Sequence, residues 1–244
     1  MITLIGTGHV FDIGNRVREE IRRRGPQAVG IELDPPRYHA LRNRNKDKRG
    51  VPIVYRLLAD FQTRIANQYG VEAGDEMLAA SDEAKALGIP LALIDKDAQQ
   101  TFQRLRGEMR FSEKMRLLGS AVVGILPILP GKSIEKQVDE MQNDYTSYFI
   151  EMEKKFPTLK RVLLDERNEH MAKALASMAQ TNERVVAVMG DGHVDGVKSL
   201  LEALGLPVET VRLKELRAKS EAVAGNASTT VTMTIEGESP PPRD

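Results

Sequence analysis

Cysteine is absent from the 244-residue chain. That excludes disulfides, thiolate metal sites and cysteine nucleophiles together, so any bound metal must rely on His, Asp and Glu, and the redox compartment is left undetermined. Net charge is absent too: Lys plus Arg and Asp plus Glu each number 35. A balanced chain has no global field to attract nucleic acid or an anionic membrane, so no nucleic-acid partner is expected. No basic segment followed by a long apolar region opens the chain, and the expectation is a cytoplasmic protein without a secretory signal. The longest apolar run, Leu117 to Gly131, is interrupted by two prolines and falls short of the roughly 20 residues that span a bilayer, so no transmembrane segment is expected. It reads as a buried helix or hydrophobic loop, or else as a lid or subunit contact in a homo-oligomer.

What is present is an ordinary globular composition, 41% apolar, with strand and helix signals in alternation. ITLIG leads into an amphipathic basic stretch from Phe11 to Arg24 and then AVGIELD, one βαβ unit. Helical patterns follow at 37–47, 53–69 and 76–87, and Gly88-Ile89-Pro90 turns the chain into LALIDKD. Residues 99–160 are mostly helical and highly charged, an expected helical insertion. A strong helix begins at Arg161, ERVVAVMG returns to a buried strand, and LGLPVETVRL supplies the last. The pattern predicts an α/β fold with a central, largely parallel sheet and helices on both faces. It occupies residues 1–214, followed by a flexible tail at 215–244 that is rich in small residues and ends in three prolines before Arg243. Within the tail, TTVTMTI alternates and could form an edge strand.

Two nearly identical phrases stand near opposite ends of this series: LIGTGHV with His9, and VMGDGHV with His193. Each reads as strand, Gly-x-Gly-His, then helix, with the glycines expected to turn the backbone sharply. In parallel sheets chemistry gathers beyond the carboxyl ends of the strands. Four strands end there in polar groups: His9, Glu32 with Asp34, Asp95 with Asp97, and Asp191 with His193. A dinucleotide fingerprint fails because Phe11 stands where the third glycine belongs. Two imidazoles and a carboxylate on one rim instead suit a divalent metal, with zinc, manganese and cobalt all compatible. Asp95 and Asp191 are weaker candidates for orienting the imidazoles, and Asp34 and Asp97 read as caps or turn residues.

GTGH and GDGH, GIELD with the following Arg37, LIDKD with Thr101 and Arg104, and DERNEHMA together resemble the TraB/PrgY family, which is related to the Tiki metalloproteases. The resemblance runs from about Ile2 to Arg212. It implies a metal-dependent peptidase-like domain, with Tiki proteins cleaving peptide segments and PrgY acting against a small peptide pheromone. On matching positions, His9, Glu32 and His193 would hold a divalent ion, Mn, Co or Zn. Glu166 would serve as base and Arg167 as oxyanion stabiliser. Asn168 stands where the family commonly has Asp, which puts a carboxylate role there in doubt, and the C-terminal membrane helices of many members are lacking. The expected activity is hydrolysis of a peptide or other amide. The alternative is a regulatory module that binds a peptide or small ligand without cleaving it.

Overall fold

In the computed structural model the described residues are 1–8, 13–43, 74–116 and 153–218. His9, the 53–69 pattern, the apolar run 117–131 and the C-terminal tail from 219 lie outside them. By internal contacts the chain divides into two compact units, one comprising Met1–Asp95 with Ala172–Asp244 and the other Lys96–Met171.

The first unit holds a five-stranded sheet, formed by β1 (Ile2–Thr7), β2 (Ala28–Ile31), β3 (Leu91–Leu93), β4 (Val185–Gly190) and β5 (Val208–Val211), in the order β3-β2-β4-β1-β5. Every pairing is parallel. All six residues of β1 and all four of β2 are buried, which is why neither strand carries a charged residue: a parallel strand covered on both faces has no solvent side to mark with charge.

Helices lie on both faces. Ile5, Val29, Ile31, Val186 and Val188 share a core with Val17 and Ile21 of α1 (Gly14–Arg24) and with Met77, Ala80 and Ala84 of α3 (Asp75–Ala86). Between these two helices in sequence runs α2 (Pro35–Asn43). Side chains alternate along a strand, so Gly6 and Gly30 face the other way. There a Cβ on Gly30 would meet Leu175 of α6 (Glu166–Ala179), and one on Gly6 would meet Val194 of α7 (Asp191–Ala203). Beyond β5, residues 213–218 are helical, with Leu213 and Leu216 in the core.

α1 stops at Gly25, whose φ of 52° carries the left-handed cap donating to the carbonyls of Ile21 and Arg22. The second unit contains α4 (Ala98–Glu108), the short α5 (Pro157–Lys160), a π-helical turn at Arg161–Asp165 and the start of α6. Read from sequence as one continuous helix from Arg161, this stretch thus begins with a wider turn.

Candidate functional site

β1 leads into α1 on one face of the sheet, while its neighbour β4 leads into α7 on the other. Adjacent strands that send their helices to opposite faces leave a crevice beyond their carboxyl ends, the usual ligand position in open parallel sheets. The register Thr7↔Gly190 ends both strands level at that crevice. The strand ends that lead into the two glycine-histidine phrases, Thr7 and Gly190, therefore flank the topological switch point.

Glu32 follows β2 and continues its ladder, its N–H donating to Val188 O at 3.0 Å. This pairing directs the side chain toward the end of β4, where Oε2 accepts the Gly190 N–H at 2.6 Å. Oε1 lies 3.4 Å from His193 Nε2. Both residues are nine-tenths or more buried, Glu32 at 7% exposure and His193 at 6%. The structure thus brings together two of the three residues named as metal ligands, and the third, His9, is outside the described residues. Among the described residues no group of three or more His, Cys, Asp or Glu forms a metal cluster.

The second phrase differs locally from its reading as a sharp glycine turn. Asp191, Gly192 and His193 already form the first turn of α7, and Gly190 has an ordinary φ of −56°. The glycine with a steric task is Gly6, where a Cβ would fall 2.1 Å from Asp191 Oδ1. The Asp191 carboxylate lies directly on the β1 backbone, and only hydrogen leaves it room.

Asp191 and Asp95, the two candidates for orienting the imidazoles, are engaged by arginines. Asp191 accepts from Arg212 Nε at 3.0 Å, from Arg212 Nη2 at 2.8 Å and from the Leu213 N–H at 3.0 Å. The bond to Asp191 foremost, with that to Asp195, holds the Arg212 guanidinium above its ordinary range against the opposing effect of burial. Asp95 pairs with Arg37 Nη2, whose Nε reaches Asp34 at 3.0 Å. Asp34 also caps α2 through the Arg37 N–H at 2.8 Å, and Asp97 caps α4 through Gln100 N at 2.8 Å. The Arg37 bridge was not legible from spacing, because its two partners lie on different strand ends.

In the second unit, Glu166 is an ionic hub. It accepts from Arg104 Nη1 at 2.6 Å, Arg161 Nη1 at 2.7 Å and Lys96 Nζ at 3.2 Å. Arg161 and then Arg104 also hold the neighbouring Glu108 carboxyl below its ordinary range. Arg167 donates through Nη1 to the Leu163 carbonyl at 3.3 Å in the π-helical turn, and Asn168 is buried.

The TraB/PrgY/gumN family model matches residues 1–209, and the chain belongs to that family. An uncharacterized protein of Methanocaldococcus jannaschii is 29% identical over 255 aligned residues covering 96% of this chain, which spans 62% of that relative's length. A solved structure described as cofacial heme binding to ChaN of Campylobacter jejuni aligns over 86% of this chain and 79% of that one, at 13% identity and a TM-score of 0.37. That likeness is too low to carry a ligand across. No helix among the described residues is long and apolar enough to cross a membrane.

Proposed function

From that membership we propose that the chain is a metal-dependent hydrolase acting on peptides or related amides, with Glu32 and His193, joined by His9, holding a divalent ion at the switch-point crevice. The observation that carries the reading is the convergence of a buried carboxylate oxygen and an imidazole nitrogen, 3.4 Å apart, at the place where parallel sheets bind ligands. An oxygen and nitrogen donor set suits manganese, cobalt or zinc. The Gly190 N–H on Oε2 is the kind of outer hydrogen bond that ligating carboxylates carry, fixing the orientation of the carboxylate. When bound, the ion supplies a water acidic enough to attack an amide carbonyl near neutral pH.

Glu32 contributes orientation through its fixed Oε2, and burial around Glu32 and His193 excludes bulk water from both donors. By motif match alone, Glu166 and Arg167, in the second unit, are the candidates for base and oxyanion donor. Because Lys96, Arg104 and Arg161 engage Glu166, base work there requires one of those pairs to open.

The Glu32–His193 contact also supports a second reading. An acid and an imidazole at 3.4 Å are mutual partners without any ion, and the same crevice then serves a regulatory module that binds a peptide without turnover. Incubation of the chelator-stripped protein with a peptide library, with and without Mn, Co or Zn, followed by mass spectrometry, separates the two. Metal-dependent cleavage products support the hydrolase. Intact peptides that co-elute with the protein, with no products under any metal, overturn it in favour of the binder.

A further inference from the structure

The first turn of α7 carries His193 yet has no side-chain N-cap at Gly190, so something else must fix its position. Its backbone start is shared with the site, because the Gly190 N–H is taken by Glu32. What secures the turn comes from the far end of the first unit's sequence. Arg212 follows β5 directly, and its guanidinium reaches two residues of α7 one helical turn apart. Nε and Nη2 form a fork on Asp191, and Nη1 donates to Asp195 Oδ1 at 2.6 Å. His193 lies midway between these two anchors. The Leu213 N–H adds a third bond to Asp191, and Gly6 lets the carboxylate rest against β1.

A guanidinium fork is a rigid planar element, so it sets direction as well as distance. Asp191 is 14% exposed and Asp195 77%, so the inner bond is the fixed one and the outer bond is a brace. Rotation of α7 about its axis, or its displacement along β1, would break the fork before anything else. The same rotation would carry the His193 ring away from Glu32 Oε1. A helix side chain about 6 Å from the axis moves roughly 1 Å for each 10° of rotation, and ligand sites tolerate only about half that displacement.

We propose that Arg212 and Asp191 form a positioning pair that sets the placement of the His193 imidazole against Glu32, acting through the first turn of α7 rather than by touching the ligand. The proposal rests on the metal-site reading for its affinity readout, and has an independent readout in the imidazole itself. It assigns a role to two residues outside the glycine-histidine phrase's chemistry and explains why Asp191 stands inside that phrase.

The test compares Arg212→Gln and Asp191→Asn with Arg24→Gln, which removes the ion pair between α1 and Glu209 of β5 and serves as a purely structural control. Asp195→Ala, on the exposed side, is the mild variant should either inner substitution fail to fold. Affinity for Mn, Co and Zn is measured by calorimetry on chelator-stripped protein. The imidazole signals are followed by nuclear magnetic resonance, with only four histidines in the chain and the His193 signal identified by its loss in His193→Ala. The expected result for Arg212→Gln is a fall in metal affinity of about tenfold or more, with a shifted or broadened His193 signal. Asp195→Ala should move both in the same direction by a smaller factor, and Arg24→Gln should move neither. Arg212→Lys should restore only part of the loss, because charge returns without the fork. Equal losses in Arg24→Gln, full recovery in Arg212→Lys, or an unchanged His193 signal in Arg212→Gln and Asp195→Ala overturns the positioning pair. If the parent protein binds none of the three ions, the metal reading fails, and the imidazole signal alone decides the positioning role.

Discussion

Glu32 and Glu166 are the same residue type, and both stand out from the sequence as candidates for chemistry, yet they are built into opposite kinds of surroundings. Glu32, 7% exposed, accepts the Gly190 N–H and approaches the His193 imidazole. Glu166, with a side chain 17% exposed, meets two guanidinium groups and an ammonium. The first sits at a strand end beside a backbone N–H and a ring nitrogen; the second lies in a network in which each carboxylate oxygen has a cation. Surroundings, rather than the identity of the acid, set what each carboxylate can do.

The contrast can be broken most severely at Gly6. A methyl group there would overlap Asp191 Oδ1, and Gly6→Ala should cost about 3 kcal/mol or more, read as a large drop in midpoint in chemical denaturation. Stability near that of the parent would show that Asp191 has room to move, and that the rim is softer than its contacts suggest.

Next in size are the ligand substitutions. His193→Ala and Glu32→Gln should each weaken divalent-metal binding by at least about 100-fold, or roughly 2.7 kcal/mol. In a cycle with His9→Ala, the second loss should add little to the first, because ligands of one ion act only together. Calorimetry that finds additive, independent effects would make the two histidines unrelated. Glu166→Gln should instead lower thermal stability, leaving metal affinity within about twofold. Peptide turnover should fall with it, and turnover that stays at the parent's level would remove Glu166 from the role of base.

Glu113 offers a smaller test in the ion-rich unit. Burial works to raise its pKa, but hydrogen bonds from Thr158 and Arg110 outweigh it and hold the carboxyl below its ordinary 4.5. A folded-state value below the unfolded one makes the contribution complete above about pH 4.5 and lost as pH falls through the depressed value. Thermal melts of the parent should therefore lose stability on the acid side faster than melts of Glu113→Gln, by a few °C. Parallel curves would remove Glu113 from the acid response. The smallest effect is expected at Gly107 in α4, where an added Cβ meets nothing within 4 Å. Gly107→Ala should stabilise by up to about 1 kcal/mol through helix propensity alone, the opposite sign to Gly6→Ala.

β1, β2 and β4 were legible in the sequence because burial on both faces writes itself as runs rich in Val, Ile and Leu, whereas the half-buried edge strands β3 and β5 were marked by the turns before them, Gly88-Ile89-Pro90 and LGLP. Their carboxyl ends were legible because polar residues interrupt the runs at Glu32, Asp95 and Asp191. Asp97 as a cap followed from its place just before a helical pattern. What spacing could not convey was contact between distant segments. Arg212 seizing Asp191, and Arg37 joining Asp34 to Asp95, depend on the order β3-β2-β4-β1-β5, which no local pattern encodes. The GDGH phrase was misread as a turn for a different reason. Glycine is a poor helix former, but in the first turn of α7 the helix tolerates Gly192 because packing of Val194, Val197 and Leu201 secures it.

The central place of β4 also bears on how the chain is made. Ile2 of β1 pairs with Val185, and Ala28 of β2 pairs with that same Val185, so β1 and β2 have no direct neighbour in each other. At translation speeds of about 5 to 20 residues per second, the strand that joins them emerges on the order of ten seconds or more after the first. During that interval β1 and β2, both wholly buried in the finished sheet, wait without their shared partner. The nascent chain therefore presents two unpaired β edges before its sheet can form, an interval in which chaperone capture competes with aggregation.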